Sequence, residues 1–86
     1  MEIEFLPHAL LRMKERGLNK VLITDAIMAP NKVEFSDADP NRFLAKKLYF
    51  NLALRRRHLL IVVFEKELDK IKVVTIIDTS KINKYY

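Results

Sequence analysis

Leu59-Leu60-Ile61-Val62-Val63-Phe64 and Ile71-Lys72-Val73-Val74-Thr75-Ile76-Ile77, separated by Glu65-Lys66-Glu67-Leu68-Asp69-Lys70, decide how this chain folds. Val and Ile are stiff at χ1 and lose little in an extended backbone, so dense runs of them read as strands. Both runs are apolar at almost every position, which means both faces of each strand need cover. The polar stretch between them then reads as the turn of a well-buried antiparallel hairpin.

Moving toward the N-terminus, Lys32 to Phe35 is short and β-capable, and Asp37-Ala38-Asp39-Pro40-Asn41 is a turn by composition. The stretch 42–54 admits two readings. Leu44, Leu48 and Leu52 recur at helical spacing, whereas Leu44, Leu48 and Phe50 with Arg42 and Lys46 fit one face of a strand. Its neighbours favour a meander strand and its local propensity favours a helix. Further upstream, Pro7 suits a first helical turn and the single glycine, Gly17, suits the left-handed position past its end. Ala9, Leu10 and Met13 line one side of that helix, with His8, Arg12, Glu15 and Arg16 on the other. Asn19 is an N-cap for a second helix carrying Leu22, Ile23, Ala26 and Ile27 to a stop at Pro30. A short strand at Ile3–Phe5 can precede both. The expected architecture is α+β, with two N-terminal helices packed on one face of a three- to four-stranded antiparallel sheet.

Eighty-six residues make one domain, 1–86, with half of them apolar and 31% charged. The absence of cysteine excludes disulfides, thiolate metal sites and a cysteine nucleophile. The longest apolar run, Leu59 to Phe64, is far shorter than the roughly 20 residues of a membrane span. Met-Glu-Ile-Glu lacks the basic and apolar regions of a signal peptide, so the expectation is a soluble, cytoplasmic domain with no membrane partner. The net charge of +5 is uneven. Residues 1–41 sum to −2 and residues 42–86 to +7, and Arg42 to His58 holds six bases and no acid. A one-signed patch attracts polyanions through counterion release, although lysine and arginine also serve simply as solubilising surface.

His8, Arg12 and Arg16, spaced i, i+4, i+8, form one stripe along the first helix. Imidazole exchanges protons near neutral pH, and a helix N-terminus favours its neutral, basic form while welcoming a phosphate. The stripe can equally be a solvated helix face. His58, at the entrance of an apolar strand, reads as a half-exposed strand histidine. Arg55-Arg56-Arg57 alternate in direction if extended and read as a solvated turn that attracts polyanions. Thr75 either satisfies a core hydrogen bond or faces a cleft. Lys81-Ile82-Asn83-Lys84-Tyr85-Tyr86 interleaves bases with aromatics, a pattern that stacks on unpaired nucleobases or docks a ring on the sheet. No metal-ligand set and no glycine-rich phosphate loop is present, so no cofactor is expected.

His8-Ala9-Leu10-Leu11-Arg12-Met13-Lys14-Glu15-Arg16-Gly17-Leu18 resembles His-Ala-x-x-Arg-Met-x-x-Arg-Gly-Ile, the opening signature of domain-of-unknown-function family 4258. The resemblance extends through Ala29-Pro30-Asn31, Arg42, Leu60 to Phe64, Val73 to Ile77 and Lys84-Tyr85-Tyr86, covering nearly the whole chain. That family is grouped with the barnase–EndoU–colicin–RelE superfamily of small metal-independent ribonucleases, many of them toxins held by an antitoxin. The resemblance implies a RelE/barnase-like plan with an active cleft built from His8, Arg12, Arg42, Thr75 and Tyr85. This chain departs from it at Asn51-Leu52-Ala53-Leu54, where relatives carry glycine, and at Asp78, where they carry an aromatic.

The reading is therefore of a toxin-like endoribonuclease in which the RNA 2′-hydroxyl attacks the adjacent phosphorus. His8 would act as base or acid, Arg12 and Arg42 would stabilise the phosphorane, Thr75 would orient a phosphate oxygen and Tyr85 would stack a base. Arg16, Lys46, Arg55, Arg57 and Lys81 would bind the RNA backbone, free or as ribosome-bound mRNA. The partners expected are RNA, an acidic antitoxin and, through an uncovered sheet edge, a second copy. The alternative is a non-catalytic module that binds RNA or a protein through a basic sheet face.

Overall fold

In a computed structural model describing residues 1–86, the apolar hairpin forms the middle of a five-stranded sheet. In chain order the elements are β1 (Glu2–Phe5), α1 (Pro7–Arg16), α2 (Lys20–Met28), β2 (Lys32–Phe35), β3 (Arg42–Asn51), β4 (Arg56–Lys66), β5 (Lys70–Thr79) and α3 (Ile82–Tyr85). The strands lie in the order β1-β5-β4-β3-β2, so β4 is central and flanked by the two other long strands. The α+β class holds, with both N-terminal helices as expected.

Two features differ from the sequence expectation. The sheet has five strands and is mixed, because β1 pairs parallel to β5 with Ile3 beside Ile71 and Phe5 beside Val73. This pairing extends the apolar floor beneath α1, and Leu6 N–H continues the ladder to Val73 C=O at the point where α1 begins. Residues 42–51 resolve to strand rather than helix: β3 satisfies its backbone against β4 on one side and β2 on the other. The leucine that completes the helical spacing, Leu52, is 82% exposed in the following turn, so burial gave a helix no advantage there.

β4 and β5 keep strict alternation only as far as Val63. Leu60 faces Asp78, Val62 faces Ile76 and Val63 faces Thr75, but Phe64 then faces Val73, leaving Val74 as an extra residue. This bulge turns Ile71, Val73 and Ile76 to one face and Thr75 to the other. On the first face they join Ala45, Leu60, Val62 and Phe64 beneath Ala9 and Met13 of α1 and Ile23 and Ala26 of α2. The second face is partly covered by the short α3, which lies against β4 above the buried Leu59 and Ile61.

The helices stop where their sequence says they should. Gly17 sits at φ 65°, and Leu18 N–H reaches Met13 C=O in a Schellman-type end. Asn19 Oδ1 accepts from Leu22 N–H at 2.9 Å and caps α2. The β3–β4 turn, which lacks glycine, makes its left-handed step at Arg55, φ 53°, and Asn51 Oδ1 braces it by accepting from Leu54 N–H.

Candidate functional site

The five residues assigned to one active cleft lie on two sides of the sheet. His8 is exposed in the first turn of α1, with Arg12 half-buried and Arg16 exposed further along the same helix, all on the helix-covered side. Thr75 is opposite Val63 and, because of the bulge, faces the α3 side. Arg42 and Lys46 occupy alternate positions of β3 on that same side, and Tyr85 lies in α3. The structure thus brings Arg42, Lys46, Thr75 and Tyr85 to one face and keeps His8 and Arg12 on the other.

Arg42 and Lys46 are already engaged on the α3 face. Arg42 Nε lies 3.0 Å from Glu65 Oε2 and 3.6 Å from Asp39 Oδ2. Lys46 is only 7% exposed; its Nζ pairs with Glu34 and donates to the carbonyls of Tyr85 (2.7 Å) and Tyr86 (3.0 Å). Its hydrogen bond with Glu34 is the largest cause holding that carboxyl below its ordinary range. Lys32 also donates to Tyr86 C=O and rests over the Tyr86 ring, while Lys84 rests over Tyr85. Lys81 is exposed, its N–H bonded to Thr79 Oγ1 where α3 begins. Lys32 and Lys46 thus hold the end of the chain's last helix through the carbonyls of Tyr85 and Tyr86.

A second polar cluster, which sequence reasoning missed, lies on the helix side. Asp78, its side chain 4% exposed, accepts from the Tyr49 hydroxyl at 2.7 Å and contacts His58 Nδ1 at 3.0 Å. His58 is not half-exposed at a strand end but 5% exposed on the central strand, and its Nε2 is buried without a partner. Burial, followed by the Asp78 hydrogen bond and charge, pushes the Tyr49 hydroxyl up to about 12. The signal was present: Tyr49 faces His58, Leu60 faces Asp78, and inward alternation puts all three on one surface. With Nδ1–H donated to Asp78, the imidazole is fixed in one orientation.

The uncompensated charge lies elsewhere. Lys32, Arg42, Lys46, Lys47, Lys70 and Lys72 each lie within 4 Å of a carboxylate, whereas five lysines (Lys14, Lys20, Lys66, Lys81 and Lys84) and five of the six arginines (Arg12, Arg16, Arg55, Arg56 and Arg57) have no such partner. The end of α1 and the β3–β4 turn meet across a cavity of about 410 Å³ that is lined by Arg16, Asn19, Tyr49, Asn51 and Leu52, among others. Arg55 to Arg57 are exposed as the chain leaves this turn, next to the exposed Phe50, Leu52 and Leu54. One end of the sheet therefore combines unpaired guanidinium groups with open apolar surface. No helix of the chain is long and apolar enough to cross a membrane. No protein-family model, curated protein or solved structure matches this chain.

Proposed function

We propose that this chain binds single-stranded RNA through the end of the sheet where α1 meets the β3–β4 turn. The observation that carries this reading is the gathering of unpaired guanidinium groups. Six of the sixteen basic side chains are paired to carboxylates, and of the ten that are not, four arginines, Arg16 and Arg55 to Arg57, gather at one end. Guanidinium groups pair with phosphate oxygens in a fork geometry, and exposed apolar and aromatic side chains beside them give unpaired bases a surface to stack on. The test is fluorescence anisotropy of a labelled single-stranded RNA against salt. Replacing Arg55, Arg56 and Arg57 together by alanine should flatten the salt slope by roughly 2, at about 0.7 per lost phosphate contact. Equal slopes for wild type and variant would remove the reading.

The second reading is that the bound RNA is cleaved, as in the metal-independent ribonuclease toxins that the opening motif resembles. What favours it is the position of His8. It is exposed, in a first helical turn without acidic residues, on the same helix whose later turns carry Arg12 and Arg16 to the basic end. His8 would remove the 2′-hydroxyl proton as the 2′ oxygen attacks phosphorus, Arg12 would stabilise the phosphorane, and the P–O5′ bond would break with a proton returned from water to the leaving oxygen, giving a 2′,3′-cyclic phosphate and a 5′-hydroxyl end. An acidic antitoxin would cover the same guanidinium groups. Mapping transcript 5′ ends in cells making the wild type or His8→Ala tests this: new ends must appear with the first and vanish with the second.

A further inference from the structure

We infer that β2 is the meeting edge of a symmetric dimer, two copies of this chain pairing β2 to β2 into one continuous sheet. The inference stands apart from the RNA reading, which concerns the far half of β3. β2 is an outer strand, and its free side is defined by the ladder it makes. Asn31 N–H bonds to Lys46 C=O and Ser36 N–H to Arg42 C=O, so the even-numbered residues of β3 turn their backbone toward β2. Antiparallel pairing then directs Lys32 and Glu34 inward and leaves the N–H and C=O of Val33 and Phe35 pointing outward.

Those two residues match themselves. With Glu34 on the two-fold axis, Val33 of one copy faces Phe35 of the other and Phe35 faces Val33, so that all four outward backbone groups of each copy are paired. Their side chains project on the helix side, where Val33 is 51% and Phe35 71% exposed. Phe35 is the outer end of an aromatic row, 5.2 Å from Phe43, which is 5.4 Å from Phe64. A second copy would continue that row and cover the exposed Val33, Phe35 and Met28. β2 is short but holds no proline, no glycine and no bulge, and its two charged side chains, Lys32 and Glu34, are paired on the opposite face from Val33 and Phe35. The one like-charge contact, Glu34 against its own counterpart, is neutralised beforehand by Lys46 and Lys32 of each copy. An acidic peptide fits less well, because Asp37 and Asp39 follow directly on this strand.

Sedimentation equilibrium of the wild-type chain across a wide micromolar range is the primary test. The expected result is a reversible monomer–dimer equilibrium, with Phe35→Lys raising the dissociation constant by about tenfold or more, because the new charge is desolvated against Val33. A wild type that stays monomeric to the highest concentration overturns the inference and leaves the edge to another partner. The register is tested by single cysteines in this cysteine-free chain. Residues directly opposite across a non-hydrogen-bonded pair have Cβ atoms about 4.5–5.5 Å apart, so Glu34→Cys should cross-link on mild oxidation and Val33→Cys should not. Cross-linking at Val33→Cys alone, or at neither position, rejects the pairing whatever the fate of Phe35→Lys.

Discussion

Replacing Asp78 by alanine isolates the buried polar cluster, and its cost follows from what the carboxylate touches. Asp78 receives both the Tyr49 hydroxyl and His58 Nδ1, and no other acceptor contacts either group. Each buried polar group left without a partner costs about 1–3 kcal/mol. Tyr49 is only partly buried and can recruit water, which puts it at the low end; His58, whose side chain is 7% exposed, belongs near the top. Deleting a buried carboxylate returns part of this, since its own desolvation opposes folding. The net loss is about 3 kcal/mol, out of roughly 4–13 kcal/mol for a domain of this length. The drop in Tm should be roughly 12–24 °C. Asp78→Asn keeps one acceptor oxygen and should lose about half as much. Urea denaturation followed by circular dichroism, with Tyr49→Phe completing a double-mutant cycle, provides the measurement. An Asp78→Ala loss below about 1 kcal/mol at unchanged m-value, or zero coupling to Tyr49, would refute the argument that Asp78 holds two otherwise stranded donors.

Tyr49 also sets a pH dependence. Its folded value of about 12 lies above the ordinary 10, so the native state holds the proton more tightly; the stabilisation is complete below pH 10 and is lost as pH rises toward 12. The difference in stability between the wild type and Tyr49→Phe should therefore shrink across that window, and a constant difference would contradict the assigned environment. Two left-handed residues should respond with opposite signs. Gly17→Ala meets no atom within 4 Å, so its penalty of about 1 kcal/mol is purely backbone, while Arg55→Gly should gain up to about 1 kcal/mol in urea titrations. Asn19→Ala removes the α2 cap and should cost about 1 kcal/mol in the same assay. Arg42→Ala should lower stability through Glu65 yet leave the RNA salt slope unchanged, since that guanidinium is already paired.

The helices and the central hairpin were legible because each rests on local signals: Pro7, Gly17 and Asn19 at helix ends, and unbroken β-branched runs in β4 and β5. β1 was visible as a segment, but not as a strand of this sheet. Four residues carry little periodicity, and their partner lies 68 residues along the chain. β3 was ambiguous because leucines spaced four apart satisfy both a helix face and every second inward position of a strand; the partners on both sides decide it. The candidate site was less legible for one physical reason. The sequence leaves Thr75 open between the core and a cleft, and its face depends on a single extra residue, Val74, which reverses the alternation set by Ile71 and Val73. Charge patterning located basic residues without revealing which had carboxylates within reach, so Arg42 and Lys46 looked equivalent to Arg55 and Arg57 until their partners were placed.

The parallel pairing of β1 with β5 has a kinetic consequence. Every other strand contact joins chain neighbours, but this one closes a loop from Glu2 to Lys70, and the entropy of closing it must be met before any of its contacts form. The β3–β4–β5 meander should therefore dominate the folding transition state, with high φ-values at Val62 and Ile76 and values near zero at Ile3 and Phe5. During synthesis, α1 and α2 leave the ribosome well before the sheet that covers them. The apolar face of α2 waits in solvent until β3 and β4 have emerged and that of α1 until β5 has, which makes that interval, rather than the finished fold, the period of greatest exposure to misassembly.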